Sequence, residues 1–345
     1  MIFILTNTKE AIHTMLSKKS SLVVLLILAT IMLALVGCGA KEEATSTTEA
    51  APAETKTETE TTEVTTSYTV EHAMGTTEIP NKPEKVVILT NEGTEALLSM
   101  GVKPVGAVKS WVGDPWYPHI KDQMEGVQVV GLESEINLEA IAALKPDLIL
   151  GNKMRQEEHY AALSAIAPTV FSDTLRGDWK INFELYSKAL NLEEKGKEVL
   201  SAFDERIETM KKELGDKVNT EISVVRFMPN DIRIYYKDTF SGVIFQQIGF
   251  KRPASQDKDD FAAKGVTKER IPEMEGDILF YFTYEPGEGD ALKAETEWVN
   301  DPLWKNLEVV KAGKAYKVDD NVWNTAGGVI AANLLLDDLE KYFLK

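Results

Sequence analysis

Arginine and tyrosine side chains at the ends of short apolar runs are the residues of this chain best placed to do chemistry. Arg226 closes the run Glu221–Arg226, the chain turns through Pro229-Asn230-Asp231, and the next run, Ile232–Tyr236, puts Arg233 and Tyr235 on one face by two-residue alternation. Arg155 follows a further apolar run that ends at Leu150. A guanidinium offers a planar fork of donors that fits a carboxylate or a similar anion through charge-assisted hydrogen bonds. A solvated arginine is the ordinary state at any one position. A cluster of bases at strand ends is less ordinary in a chain whose formal net charge is −17. That acidic total argues against nucleic-acid binding, which needs a basic face, and leaves room for a local basic pocket. The chemistry implied is anion recognition. No Gly-x-Ser-x-Gly elbow, Walker A loop or zinc-protease histidine pair occurs, and Asp257, Asp259 and Asp260 read as an exposed acidic loop.

Metal ligation by the protein itself is not expected. A free-ion site needs several histidines with acids beside them, and beyond Cys38 the chain has only His72, His119 and His159. Cys38 is the only cysteine, so no intramolecular disulfide can form. It closes the apolar run Leu22–Gly37, which follows the basic pair Lys18-Lys19. These are the parts of a secretory signal, and the run is shorter than the ~20 residues of a spanning helix. Leu35-Val36-Gly37-Cys38 resembles a bacterial lipobox. That resemblance implies that residues 1–37 are a signal peptide and that Cys38 becomes an acylated N-terminus. The body is then lipid-anchored on the extracytoplasmic face of the cell membrane. Met1 and Met15 both remain possible starts. Residues 38–67 are mostly Thr, Glu, Ala and Lys and cannot bury enough apolar surface to order themselves. They read either as a functional tether or as a tolerated disordered terminus.

The elements that must position the arginines alternate between strand and helix, which points to the α/β class. Strands are expected at Glu84–Thr90, Val105–Val108, Leu148–Leu150 and Thr169–Phe171. Helices are expected at Thr94–Met100, at Asn137–Leu144 with Asn137 as N-cap, and at Gln156–Ile166. From Asp178 to Gly215 apolar residues recur at helical spacing, predicting one long helix interrupted only at Asn191 and Gly196. Strands Glu221–Arg226 and Ile232–Tyr236 and helix Ser241–Ile248 follow. An internal repeat is visible. Asn137-Leu-Glu139-Ala-Ile141 runs on to Pro146-Asp147, Thr267-Lys-Glu269-Arg-Ile271 runs on to Gly276-Asp277, and Gly101-Val102-Lys103 is echoed by Gly249-Phe250-Lys251. The boundaries implied are an N-terminal lobe at 68–177, a linker helix at 178–215 and a C-terminal lobe at 216–345.

These segments, with Gln156–Val170, Asp301–Val318 and the C-terminal VWNTAGGVIAANLLLDDL, resemble the helical-backbone substrate-binding lipoproteins of ABC importers, within them the iron(III)-siderophore and iron(III)-dicitrate group. The resemblance runs from Tyr68 to Lys345. It implies two Rossmann-like lobes joined by one long helix, with a ligand cleft between the lobes. It also implies no catalysis, no cofactor, a monomer, and delivery of a ferric siderophore or ferric citrate to permease subunits. The chelator holds the iron, so the protein should touch the complex from outside with Arg, Lys, Tyr and Trp. The candidates are Lys109, Trp111, Lys153, Arg155 and Arg176 in the first lobe, and Arg226, Arg233, Tyr235, Tyr281 and Trp323 in the second. Trp323 falls where related hydroxamate binders carry a ligand-contacting aromatic, but the aromatic they carry two residues later is Thr325 here. Citrate-type or mixed hydroxamate-citrate chelates are placed first because the loop Met154–Tyr160 (MRQEEHY) and the strand pair carrying Arg226-Phe227 and Arg233–Tyr235 most resemble that subgroup. Glu139 and Glu269 share one offset from their helix starts. Such acids either complement the helix dipole or, as the resemblance implies, dock on permease arginines. The alternatives are haem or cobalamin bound by the same architecture, or an extracytoplasmic enzyme.

Overall fold

The computed structural model describes residues 67–344 apart from 176 and 178. The expected signal peptide, Cys38, the tether up to residue 66 and Arg176 lie outside the described residues. The first element is a hairpin, β1 (Tyr68–His72) and β2 (Gly75–Ile79). His72 fixes this hairpin to the first lobe: its Nδ1 accepts from Phe171 N, and its Nε2 lies 2.9 Å from Thr77 Oγ1.

The first lobe then alternates strand and helix. β3 (Val86–Ile88) leads into α1 (Asn91–Ser99), followed by β4 (Gly106–Lys109), β5 (Gln128–Leu132) and β6 (Glu135–Ile136). Next come α2 (Leu138–Leu144), β7 (Leu148–Asn152), α3 (Lys153–Gln156), α4 (Tyr160–Ser164) and β8 (Thr169–Ser172). The sheet order is β6-β5-β4-β3-β7-β8, parallel except for the β5–β6 pair. The single helix expected over Gln156–Ile166 is instead broken by a 3-10 turn at Glu157–His159. Gln156 is the reason. Its buried side chain turns inward, accepts from Asn152 N and donates to Leu89 O and Glu133 O, so it is spent on the sheet rather than on a helix face.

The long linker helix is also two elements, α5 (Trp179–Ala189) and α6 (Glu193–Leu214). The break is at Asn191, which takes a left-handed φ of 53°. Asn191 N bonds to Lys188 O and Leu192 N to Ser187 O, the pair of bonds that closes a helix C-terminus. Gly196 does not interrupt α6. It is buried in the first turns, where a Cβ would come within 2.5 Å of Ser187 Cβ, so its missing side chain lets α5 and α6 touch.

The second lobe is built from β9 (Ile222–Met228), β10 (Asp231–Tyr235), α7 (Phe240–Ile248), β11 (Ala262–Ala263) and β12 (Ile278–Thr283). It ends with α8 (Asp290–Val299), α9 (Pro302–Asn306), α10 (Glu308–Lys311), β13 (Ala315–Lys317) and α11 (Val329–Phe343). Its mixed sheet has the order β11-β10-β9-β12-β13, with β9, β12 and β13 parallel. The segment expected to be a helix after Thr267 is a 3-10 turn, Lys268–Met274, because Pro272 inside it has no N–H to donate.

The internal repeat has a physical form in both lobes. Thr90 caps α1 by accepting from Gly93 N, and Thr239 caps α7 by accepting from Gly242 N. Gly101 and Gly249, both at positive φ, end those helices. Asp147 accepts from Glu84 N and Lys85 N, and Asp277 accepts from Glu221 N, so each repeat acid pins the start of its lobe's central strand.

Two apolar clusters belong to one lobe each, one around Ile149 and Phe171, the other around Phe227, Trp298 and Trp304. The third is continuous through both lobes. It runs from Val86 and Leu150 through Trp179, Phe183 and Phe203 to Val224, Phe280 and Trp323, and takes in Leu335 and Leu339 of α11. Polar ties reinforce the same joint. Glu95 of α1 accepts from Ala331 N at 2.8 Å and meets His119 Nε2 at 2.5 Å. Arg206 of α6 reaches Asn333, Asp337 and Glu340 of α11.

Candidate ligand-binding cleft

A cavity of about 290 Å³ lies between the two lobes, and many of its lining residues sit at or just after the C-terminal ends of parallel strands. From the first lobe come Asn91 and Glu92 after β3, Trp111 after β4, Glu133 after β5 and Arg155 after β7. From the second come Arg226 and Met228 of β9, Arg233 of β10, Thr239 and Phe240 at the start of α7, Phe261, and Tyr284 after β12. Leu175 and Gly177 after β8 and the segment Asn324–Gly327 after β13 also line it. Strand carboxyl ends are where open α/β sheets leave room for ligands, since the connections splay apart there.

The arginines sit in a fixed electrostatic frame. Arg226 is buried and makes a two-pronged bond to Asp320, Nε to Oδ1 at 2.6 Å and Nη2 to Oδ2 at 3.0 Å, while its Nη1 donates to Tyr235 Oη at 3.1 Å. Burial works against its charge, but Tyr235 and Asp320 outweigh that and raise its pKa. Arg233 lies directly opposite Arg226 in the β9–β10 register and pairs with Asp231 at 2.6 Å. Arg155 bonds to Glu133 through Nε at 3.3 Å. Each guanidinium also lies near an aromatic face, Arg155 at 5.9 Å from Trp111, Arg226 at 5.0 Å from Tyr284 and Arg233 at 6.0 Å from Phe261. A guanidinium has five N–H donors, and the bonds of Arg226 to Asp320 and Tyr235 occupy three. The pairs thus fix each fork in place and leave donors over for a ligand.

Four of the residues singled out in the sequence, Trp111, Arg155, Arg226 and Arg233, meet in this cavity. The other described candidates do not line it. Lys109 ends β4 outside the lining, and Lys153 lines a separate surface depression with Met154 and Asp173. Tyr235 is fully buried beneath Arg226 and holds it from behind. Tyr281 points to the opposite face of β12, edge-on to Trp304. Trp323 is fully buried against Phe280 and Phe245, with Nε1 bonded to Asp338, and the residues after it, Asn324–Gly327, line the cavity in its place.

Sequence reasoning missed Glu92, Glu133, Phe240, Phe261, Tyr284 and Asp320. The repeat carried a signal for two of them. Asn91 and Glu92 sit between the capping Thr90 and Gly93, as Phe240 and Ser241 sit between Thr239 and Gly242, at the turn from strand end to helix. Glu92 is the most perturbed acid here. Burial pushes its carboxyl up to about 8, against the pull of the Asn182 and Tyr186 donors, and nearby Glu133 and Glu95 add to the rise. Among the described residues no group of three or more His, Cys, Asp or Glu side chains is placed to hold a metal ion.

A model of the periplasmic binding protein family matches residues 86–322, from β3 to the turn before the last helix. The chain belongs to the periplasmic binding protein family. Within it, the chain is 56% identical over 285 residues to "Probable siderophore-binding lipoprotein YfiY" of Bacillus subtilis, an alignment covering 80% of this chain and 88% of that one. It is 30% identical to the Fe(3+)-citrate-binding protein YfmC of the same organism, covering 80% and 85%. Among solved structures it superposes on Staphylococcus aureus SirA complexed with staphyloferrin B with a TM-score of 0.74 and 37% identity, covering 79% of this chain and 97% of that one. The two-lobed α/β fold of the family is the one seen here, and the family is one of binding proteins rather than enzymes.

Proposed function

We propose that this protein captures a ferric siderophore or ferric citrate complex outside the cytoplasm and delivers it to the permease of an ABC importer. The observation that carries this is the facing set Arg155, Arg226 and Arg233, each oriented by a carboxylate and an aromatic neighbour inside one inter-lobe cavity. A ferric chelate presents oxygen atoms already bound to a hard cation. Planar cationic forks recognise such an anionic surface, and Trp111, Phe261 and Tyr284 supply apolar contact with the chelator backbone. The relatives named for siderophore and ferric citrate binding support the reading. Citrate-type chelates come first because the recognition surface is made of arginines.

Glu139 and Glu269 take the docking role. Both are exposed, and each opens the helical turn that leads back to a parallel strand, β7 or β12, one in each lobe. Cys38 takes the lipid-anchor role and holds a monomer at the membrane. Tryptophan quenching of the protein lacking residues 1–38 against ferric citrate, a ferric hydroxamate, haem and cobalamin tests the reading. Trp111 lies in the cavity, so the ferric chelate should quench fluorescence and Trp111→Phe should remove most of that response. Quenching by haem or cobalamin with none by any ferric chelate would overturn it.

A further inference from the structure

Glu92 is a buried acid on the cavity wall that anion recognition by arginine does not explain. Both of its protein donors converge on one oxygen: Asn182 Nδ2 lies at 2.9 Å from Oε1 and Tyr186 Oη at 3.0 Å. Oε2 has no hydrogen-bond partner among the described residues, although it is not one of the fully enclosed, unpaired polar atoms. It is the oxygen left for a ligand. Among the described residues the neighbours packed against it are acidic or neutral. Glu133, from the β5–β6 turn, is held by Asn91 and by Arg155. Glu95, one turn along α1, is held by His119 and Ala331 N. Tyr186 and Asn182 face it from α5, and Gly327 and Gly328 close over it from the second lobe. Across the cavity Arg226 is committed to Asp320. An ionised Glu92 would therefore meet an incoming anion with like charge and no cation bonded to it. A neutral Glu92 would meet it with an O–H, the short and strong kind of donor when the acceptor is charged.

We propose that Glu92 binds the chelate as the neutral acid, accepting from Asn182 and Tyr186 on Oε1 and donating from Oε2 to an anionic oxygen of the ligand, so that capture at alkaline pH takes up a proton. The proposal rests on the ferric-chelate reading. Its consequence follows from linkage: where the free side chain is ionised, one proton must be bound with each chelate, and affinity falls tenfold per pH unit. With the carboxyl pushed up to about 8 by burial, that fall begins above pH 8.

Ferric citrate is the probe, titrated by tryptophan quenching at pH 7 and pH 9 against the parent and Glu92→Gln. Glutamine keeps an acceptor for Asn182 and Tyr186 and a donor toward the ligand but cannot ionise. Taking the ratio of the two proteins cancels the titration of ferric citrate itself. The parent should lose about tenfold more affinity than Glu92→Gln between the two pH values. Calorimetry at pH 9 in buffers of different ionisation enthalpy should show about one more proton taken up by the parent. Tyr186→Phe provides a second arm. It removes a donor that favours the ionised carboxylate, so the alkaline loss of affinity should start at higher pH. Equal pH slopes and equal proton counts in parent and variant, with ferric citrate still bound at pH 7, would overturn the role of Glu92 alone. No quenching of the parent at pH 7 by any ferric chelate would overturn the ferric-chelate reading and this proposal with it.

Discussion

Replacing Arg226 by alanine separates two roles that the arginines of the cavity share unequally. The Arg226 and Asp320 side chains are only 7% and 6% exposed and are bonded at 2.6 and 3.0 Å, so removing the guanidinium strands a carboxylate in the interior and leaves Tyr235 Oη without its donor. Breaking a buried pair from one side costs about 3 to 5 kcal/mol. For a chain of this size each kcal/mol moves Tm by about 2 to 4 °C, so Arg226→Ala should melt on the order of 10 °C below the parent. Arg233 pairs with Asp231 at the solvent edge, where both side chains keep access to water, and Arg233→Ala should shift Tm by about 2 °C or less. Both should weaken ferric chelate binding by about ten- to a hundredfold, since each removes the charge-assisted bonds proposed to the ligand. Lysine at position 233 should restore only part of that loss. The assay pairs differential scanning calorimetry with quench titration. Adding Asp320→Leu to Arg226→Met should recover most of the stability and none of the affinity. If Arg226→Ala melts with the parent, Asp320 is not stranded and the frame described here is wrong.

Three further outcomes are expected. Glu92→Gln should flatten the decline in stability between about pH 4.5 and pH 8. The carboxyl rises from 4.5 to about 8 on folding, so the native state is penalised progressively as pH climbs through that window, reaching about 5 kcal/mol above it, and the gain in Tm should be absent at pH 4 and largest at pH 9. The double variant Glu139→Ala, Glu269→Ala should keep chelate affinity within a few-fold in quench titrations and lower iron uptake by cells, and unchanged uptake would remove their docking role. Cys38→Ser should move the protein from the detergent phase to the aqueous phase in phase separation, because it removes the only cysteine and with it the proposed acylation site.

The elements that periodicity and capping describe were legible in the residues. Asn137 caps α2 by accepting from Ala140 N, and the strands around Leu148 and Ile232 fall where the apolar runs placed them. The linker break was half legible. Asn191 was visible as an interruption, but only its left-handed conformation shows that the chain turns there, and Gly196 was a contact rather than a break. In the site, strand-end arginines could be found because their place depends on local order. Their partners could not, since Asp320 lies 94 residues from Arg226 and no local pattern links them. Tyr281 and Trp323 show the reverse failure. Both are aromatics near cavity segments, and which face they take depends on packing against Trp304 and Phe280. Glu92 was hidden because an acid in the first turn of a helix already has an ordinary explanation in the helix dipole.

The dependence of α1 on α11 bears on how the chain can fold. Ala331 N completes the bonding of Glu95, and Gly328 lies so close that a Cβ there would come within 2.7 Å of Glu95 Cβ. However the polypeptide emerges, N-terminus first, the opening lobe must wait for the final helix before its largest apolar cluster can close. Stepwise folding of one lobe after the other, common in chains of two independent domains, is unavailable to it. A truncation before Val329 should therefore leave an aggregation-prone species rather than a folded half, and nascent chains should remain protease-sensitive until the last residues are free.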